Sequence, residues 1–112
     1  MHIQFTDEAS KLLDGLMADS GRSVLRLEYD TDDCGCGVNG VPLMRLDDKT
    51  DSTDMHVESD RYTVVMNGEQ SLFFRKNMAV EVFKGAFRLK SDEGILNPVI
   101  SVKQVKEKAE AF

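Results

Sequence analysis

One stretch of this chain has helical spacing of its apolar residues, and a series of short strand-like runs separated by turn residues follows it. Thr6 is suited to cap the N-terminus of a helix, and Gly21 is suited to end it. Between them the apolar residues recur three and four positions apart, at Ala9, Leu12, Leu13, Leu16 and Met17. This spacing predicts an amphipathic helix that packs one face on the core of the protein.

The remaining apolar residues predict a fold that is mostly β. Strand-like runs occur at residues 24–29, 41–46, 55–58, 62–66, 79–83, 86–89 and 99–105. Residues 71–76 are compatible with a short helix or an extended segment, and Asn97-Pro98 is expected to break the chain. We interpret Ile3 and Phe5 as an apolar lead-in to the helix. The order predicts an α+β fold, a small β-sandwich or flattened barrel capped by the N-terminal helix.

Length and charge limit the classes of protein to which the chain can belong. Its 112 residues fit a single domain, 1–112, that buries one modest core. A net charge of −6 argues against general nucleic-acid binding, which needs a basic surface. No apolar run is long enough to span a membrane, and the first residues lack the pattern of a secretory signal. We therefore expect a cytoplasmic protein that binds neither nucleic acid nor membranes.

Both cysteines of the chain, Cys34 and Cys36, lie in one Cys-Gly-Cys-Gly sequence. A structural disulfide is not expected in a reducing cytoplasm. Soft thiolates suit Fe–S clusters, zinc and copper(I). The acidic neighbours Asp32 and Asp33 disfavour free thiolates by charge repulsion, which a bound cation would offset. The pair is therefore a candidate metal site, and the alternative is a glycine-rich turn with cysteine as a small core residue.

The sequence offers little support for a catalytic site, and we predict that the protein is not an enzyme. His2 lies near the terminus and His56 lies on a strand-like run, so neither is interpreted as a metal ligand. The glycines around Cys36 match the bare dinucleotide-binding pattern, but no helix follows them. Residues 47–54 are rich in oxygen ligands, yet they lack the central glycine and final glutamate of an EF-hand. A thiol redox enzyme is a weaker alternative because no base is visible.

Several short motifs occur in a characteristic order between residues 1 and 98. A Phe-Thr-Asp-Glu-Ala sequence opens the helix, a Leu-Arg-Leu strand at 25–27 leads towards the Gly-Cys turn, and a Phe-x-Leu strand at 87–89 precedes Asn97-Pro98. Together these motifs resemble the HesB-like family, the A-type iron–sulfur cluster carriers. The resemblance implies a compact β-rich fold and a site built from a central-loop cysteine, here Cys34 or Cys36, with two C-terminal cysteines. Residues 99–112 contain no cysteine, so the chain resembles a divergent member with a divergent C-terminal segment.

The resemblance implies a function in Fe–S cluster assembly or delivery. In this interpretation Cys34 and Cys36 bind iron or an Fe–S cluster, and the partners are Fe–S assembly or recipient proteins. A 2Fe–2S centre usually takes four protein ligands, so two thiols per chain predict a site shared by a homodimer. The alternative is a cluster-free protein-binding module that keeps the HesB-like fold.

Overall fold

The structure, a computed structural model, describes residues 1–30, 41–48, 50 and 52–106. The chain begins with strand β1 and helix α1, continues through strands β2 to β5, a 3-10 helix and strands β6 to β8, and then forms helix α2. Their bounds are β1 (His2–Phe5), α1 (Asp7–Ser20), β2 (Val24–Asp30), β3 (Val41–Asp47), β4 (Asp54–Ser59), β5 (Thr63–Asn67), the 3-10 helix (Gly68–Phe73), β6 (Asn77–Phe83), β7 (Ala86–Ser91), β8 (Gly94–Ile100) and α2 (Val102–Lys106).

Helix α1 has the predicted ends and the predicted buried face. The Thr6 hydroxyl accepts a hydrogen bond from the backbone N–H of Ala9 at 3.2 Å. Gly21 ends the helix in the left-handed conformation, with φ of 74°, which glycine adopts without steric cost. The buried side chains of the helix include Leu13 and Leu16, which join the hydrophobic core. The predicted amphipathic helix is confirmed.

Polar contacts connect α1 to Arg61 and Tyr62, the two residues that precede β5. The Tyr62 hydroxyl lies 2.8 Å from Asp14 Oδ1 and 3.0 Å from the Ser10 carbonyl oxygen, both of which are acceptors. Arg61 forms an ion pair with Asp14 at 2.5 Å. Phe5 meets the Tyr62 ring edge to face, with ring centroids 4.9 Å apart. Burial, together with the hydrogen bond to Asp14, raises the pKa of Tyr62 above its ordinary value.

The strands of the described residues form one sheet in the order β3-β2-β5-β4-β1-β6-β7-β8. Strand β1 lies in the middle and runs parallel to both neighbours. It pairs with β4 through His2 and Ile3 and with β6 along its whole length. The two ends of the sheet, β3 and β8, approach each other, so the sheet is a nearly closed barrel. The mostly β, barrel-like fold capped by an N-terminal helix is confirmed.

One face of this sheet supplies the hydrophobic core. Leu25 and Leu27 of β2 alternate with outward-facing polar residues, as the period of a half-buried strand requires. Buried side chains on the other strands complete the core, among them Ile3, Met44, Leu46, Val64, Met66, Val80, Phe87, Leu89 and Ile100. The core therefore includes residues from the strands on both sides of β1, that is, from β2 to β5 and from β6 to β8.

Strand β8 continues through the position where a break was predicted. Pro98 and Val99 together lie opposite the single residue Arg88 of β7, and a second irregularity in register lies at Leu96. Such bulges place an extra residue in an edge strand and accommodate a proline, which has no N–H for the ladder. The prediction that Asn97-Pro98 breaks the chain is wrong, because a bulge accommodates the proline without ending the strand.

Two other local predictions change in the structure, and one segment with two open alternatives can now be described. Ile3 and Phe5 belong to β1 rather than to an irregular lead-in, because β4 and β6 supply hydrogen-bonding partners from distant parts of the chain. The extended run predicted at 99–105 ends at Ile100, and α2 (Val102–Lys106) follows. For the segment 71–76 both a short helix and an extended conformation were open, and its first three residues form the last part of the 3-10 helix.

The Lys84-Gly85 turn joins β6 to β7 with positive φ at both residues, 52° and 79°.

Candidate functional site

The two cysteines lie between the two strands of one hairpin. β2 and β3 are antiparallel, and their last paired residues are Asp30 and Val41. Residues 31–40, which include Cys34 and Cys36, connect these two residues and lie outside the described part of the chain. The predicted strand–loop–strand arrangement is confirmed for the two strands. The metal site at the thiols stays a prediction.

The last pair but one of this hairpin, Tyr29 of β2 and Pro42 of β3, is held from both sides. We call these cross-strand partners the stem pair. On one side Gln70 of the 3-10 helix accepts a hydrogen bond from the Tyr29 N–H at 3.1 Å and donates to the Tyr29 carbonyl at 3.4 Å. On the other side Asn97 Nδ2 donates to the Pro42 carbonyl at 2.8 Å. Two side-chain amides therefore bind the backbone of the stem pair.

Aromatic stacking adds a further contact at the stem pair. The Tyr29 ring lies nearly parallel to the Phe73 ring, with an interplanar angle of 6° and centroids 3.7 Å apart. Phe73 ends the same 3-10 helix that carries Gln70. The helix thus contacts both the side chain and the backbone of Tyr29.

The amino-acid pattern contains few signals of these contacts. The sequence pattern marks Asn97 only as half of an Asn-Pro dipeptide, and it does not mark Gln70 at all. An asparagine within an apolar strand is a detectable signal, since a buried amide needs partners. A glutamine on a short polar segment carries no comparable signal, because its role depends on where β2 ends in space.

The acidic residues at the two ends of segment 47–54 face a cation of the protein itself. Arg26 of β2 contacts Asp47 at 2.7 Å and Asp54 at 2.5 and 2.9 Å. The Asp54 side chain is only 1% exposed. The hydrogen bond to Asp54 is the main cause that raises the pKa of Arg26 above its ordinary value. These two carboxylates are therefore ion-pair partners of Arg26.

The two histidines lie on strands, as predicted for His56. His56 pairs across the sheet with Val65, and His2 pairs with Glu58. His56 is exposed and His2 is half-buried. Within residues 1–30, 41–48, 50 and 52–106 no group of three or more His, Cys, Asp or Glu side chains is placed to hold a metal ion.

The outer face of β6 and β7 carries a charged cluster. Glu81 forms ion pairs with Lys90 and, at 3.8 Å, with Arg88. The hydrogen bond from Lys90 holds the pKa of Glu81 below its ordinary value. The Arg88 guanidinium also lies 4.2 Å from the centroid of the Phe83 ring. Glu81 is therefore the shared carboxylate partner of the two basic side chains Arg88 and Lys90.

No helix among the described residues is long and apolar enough to cross a membrane.

Comparison with known proteins identifies relatives of this chain. The sequence profile of the family described as iron–sulphur cluster biosynthesis matches residues 1–104. YqkB, an uncharacterised protein of Bacillus subtilis, is 28% identical over 104 residues, which cover 91% of this chain and 97% of YqkB. The match therefore includes both strands of the hairpin, the stem pair and the two cysteines.

Solved structures share the fold. A candidate Fe–S biosynthesis protein of Lactobacillus acidophilus is 23% identical, with a TM-score of 0.71 over 90% of this chain and 87% of that chain. IscA, solved with a 2Fe–2S cluster, is 20% identical, with a TM-score of 0.62 over 88% of this chain and 98% of IscA. At these identities the likeness establishes the fold alone. The profile match over residues 1–104 shows, as the HesB-like resemblance predicted, that this chain belongs to the iron–sulphur cluster biosynthesis family.

Proposed function

We propose that this protein carries iron or an Fe–S cluster as cargo, bound through Cys34 and Cys36, and acts in cluster assembly or delivery without catalysing a reaction. The observation that carries the proposal is the family match over residues 1–104, which includes the hairpin that bears the thiols. The proposal places the carrier in the cytoplasm. Its partners are the proteins that build clusters and the apo-proteins that receive them.

The chemistry of the donors supports this cargo. Thiolates are soft ligands that favour Fe–S clusters over hard cations such as magnesium and calcium. The chain has two cysteines in total, and both lie in one connection between paired strands. Two sulfurs are half of the four protein ligands that a 2Fe–2S centre usually takes. We therefore propose that a symmetric homodimer supplies the complete ligand set from two copies of the connection.

Anaerobic reconstitution tests the proposal. The purified protein is incubated with ferrous iron and sulfide, desalted, and analysed for iron, sulfide and molecular mass by size-exclusion chromatography. The expected product is brown, contains one cluster per two chains and elutes as a dimer. The double variant Cys34→Ser with Cys36→Ser should stay colourless while its circular dichroism matches that of the parent.

His56→Ala is the matched control, because His56 is exposed and lies on β4, outside the hairpin. This variant should become as brown as the parent. A parent protein that stays colourless after reconstitution would contradict the proposal and favour the cluster-free protein-binding module. A brown monomer with one cluster per chain would refute the shared site and require ligands other than the two thiols.

A further inference from the structure

The backbone polar groups of the two residues of the stem pair are directed outwards, away from the opposite strand of the hairpin. Gln70 bonds both the N–H and the carbonyl of Tyr29, so those groups are directed away from β3. Tyr29 and Pro42 are therefore a pair without mutual hydrogen bonds, and Pro42 lacks an N–H altogether. The only strong polar group that Pro42 presents is its carbonyl, which Asn97 bonds. Among the described residues, neither β5 nor β8 forms a ladder pair with the stem pair, and the side chains of Gln70 and Asn97 bond its backbone instead.

Gln70 acts where the neighbouring strand has ended. Strand β5 pairs with β2 up to the Leu27–Met66 pair and ends at Asn67. Beyond that point the 3-10 helix turns back, and the side-chain amide of Gln70 gives Tyr29 the donor and acceptor that a strand residue would give. Because Gln70 takes the place of a neighbouring strand, the backbone of β2 remains hydrogen-bonded as far as Tyr29, the residue before the end of the strand.

Asn97 reaches the other strand from within β8. Irregularities in register lie on both sides of Asn97, and its residue is 8% exposed. While Nδ2 donates to the Pro42 carbonyl, Oδ1 accepts a hydrogen bond from the Val99 N–H at 3.1 Å. Both ends of the amide are thus used, which fixes its orientation. Bulges commonly direct a side chain towards a site rather than along the strand.

We propose that Asn97 and Gln70 are positioning residues for the thiol pair: they hold β2 and β3 in register one pair before the cysteine-bearing connection, so that less conformational entropy is lost when the thiols bind metal. This inference rests on the proposed function of Cys34 and Cys36. Groups that orient metal ligands without touching the metal typically change its affinity by about 10–100-fold when they are replaced.

The test replaces each amide by the carboxylate of the same shape. Asn97→Asp removes the donor and places an acceptor against the Pro42 carbonyl. Gln70→Glu keeps the acceptor for the Tyr29 N–H and loses the donor to its carbonyl. Asn77→Asp and Gln104→Glu make the same chemical changes at exposed sites on β6 and α2 and serve as controls.

The probe is cobalt(II), titrated anaerobically into each reduced protein and followed by the thiolate-to-cobalt charge-transfer absorption. The temperature is kept far below the thermal midpoint of every variant, so that a change in stability alone leaves the dissociation constant unchanged. Each added carboxylate would by itself favour a dication, so weaker binding has to arise from lost positioning. We expect Asn97→Asp and Gln70→Glu each to raise the dissociation constant by about tenfold or more.

The two controls should bind cobalt within about twofold of the parent. If Asn97→Asp or Gln70→Glu also binds within about twofold of the parent, the positioning role is overturned while the proposed function stands. If the parent gives no thiolate–cobalt absorption, the proposed function fails and this inference fails with it.

Discussion

Arg26 connects two carboxylates that lie on either side of one loop. Asp47 ends β3 and Asp54 begins β4, and both contact the Arg26 guanidinium on the outer face of β2. The Asp54 side chain is almost fully buried, so the ion pair with Arg26 offsets part of the cost of burying its charge. The contacts of Arg26 with Asp47 and Asp54 therefore stabilise the loop that leads the chain from the edge strand β3 to β4 in the interior of the sheet.

Replacing Asp54 by asparagine should reduce the free energy of unfolding by about 1–3 kcal/mol, because a hydrogen bond between charged groups is weakened at a buried site. Urea denaturation followed by circular dichroism measures this loss. Asp48→Asn is the matched control, since Asp48 is 53% exposed in its ion pair with Arg22 and should cost less than about 0.5 kcal/mol. Equal losses in the two variants would contradict the central role of Asp54.

Tyr62 provides a prediction about pH at the same scale. Its pKa in the folded protein lies above the ordinary value of 10.0, because burial and the Asp14 carboxylate disfavour the phenolate. A raised folded-state pKa contributes stability that is complete below the unfolded value and is lost as the pH rises through the folded value. The stability of the parent should therefore decrease above about pH 10, and Tyr62→Phe should reduce this decrease.

Absorbance titration of tyrosinate measures the same effect directly. The parent has two tyrosines, and Tyr62→Phe leaves only Tyr29. The difference between the two titration curves gives the ionisation of Tyr62, which should occur at a higher pH than that of a free tyrosine. Ionisation of Tyr62 at or below pH 10.0 would show that the contacts with Asp14 and Ser10 do not favour the neutral phenol.

Among the elements, α1 has the most clearly predicted contribution to stability. Leu13 is fully buried, while its neighbour Leu12 is only partly buried against the same core. Leu13→Ala should reduce the free energy of unfolding by about 2–5 kcal/mol through lost burial and a residual cavity. Leu12→Ala should cost clearly less. A loss below about 0.5 kcal/mol for Leu13→Ala would mean that the helix packs through another face.

The predictability of each element follows from where its partners lie. Helix α1 could be predicted because its cap, apolar stripe and terminal glycine are all local in the sequence. Strand β1 could not, since two parallel strands more than fifty residues away stabilise its four residues. The bulges that let Pro98 remain inside β8 depend in the same way on the register with β7.

The same distinction between local signals and distant partners applies to the candidate site. The thiols and the hairpin that bears them could be predicted, because cysteine spacing and strand alternation are sequence patterns. The amides that hold the stem pair could not, since Gln70 and Asn97 reach Tyr29 and Pro42 across 41 and 55 positions of sequence. The acidic segment, which suggested oxygen ligands, instead supplies partners for Arg26.

At the scale of the whole molecule, the continuity of the sheet depends on β1. The half formed by β2 to β5 and the half formed by β6 to β8 are adjacent through this one strand. Only two residues, His2 and Ile3, pair on the β4 side, whereas all of β1 pairs on the β6 side. Ile3 is fully buried in the core that both halves share.

This arrangement has a consequence for folding during synthesis on the ribosome. β1 is translated before the other strands of this sheet, yet the residue of β6 that completes its pairing is Val80, opposite Phe5. Until Val80 has left the exit tunnel, β1 cannot complete its hydrogen bonds, and the two halves of the sheet cannot join around a common core. The strands of the cysteine-bearing hairpin pair with each other much earlier, because they are close in sequence. The two cysteines therefore lie in the sequence between two strands that can pair with each other before β6 is available to β1.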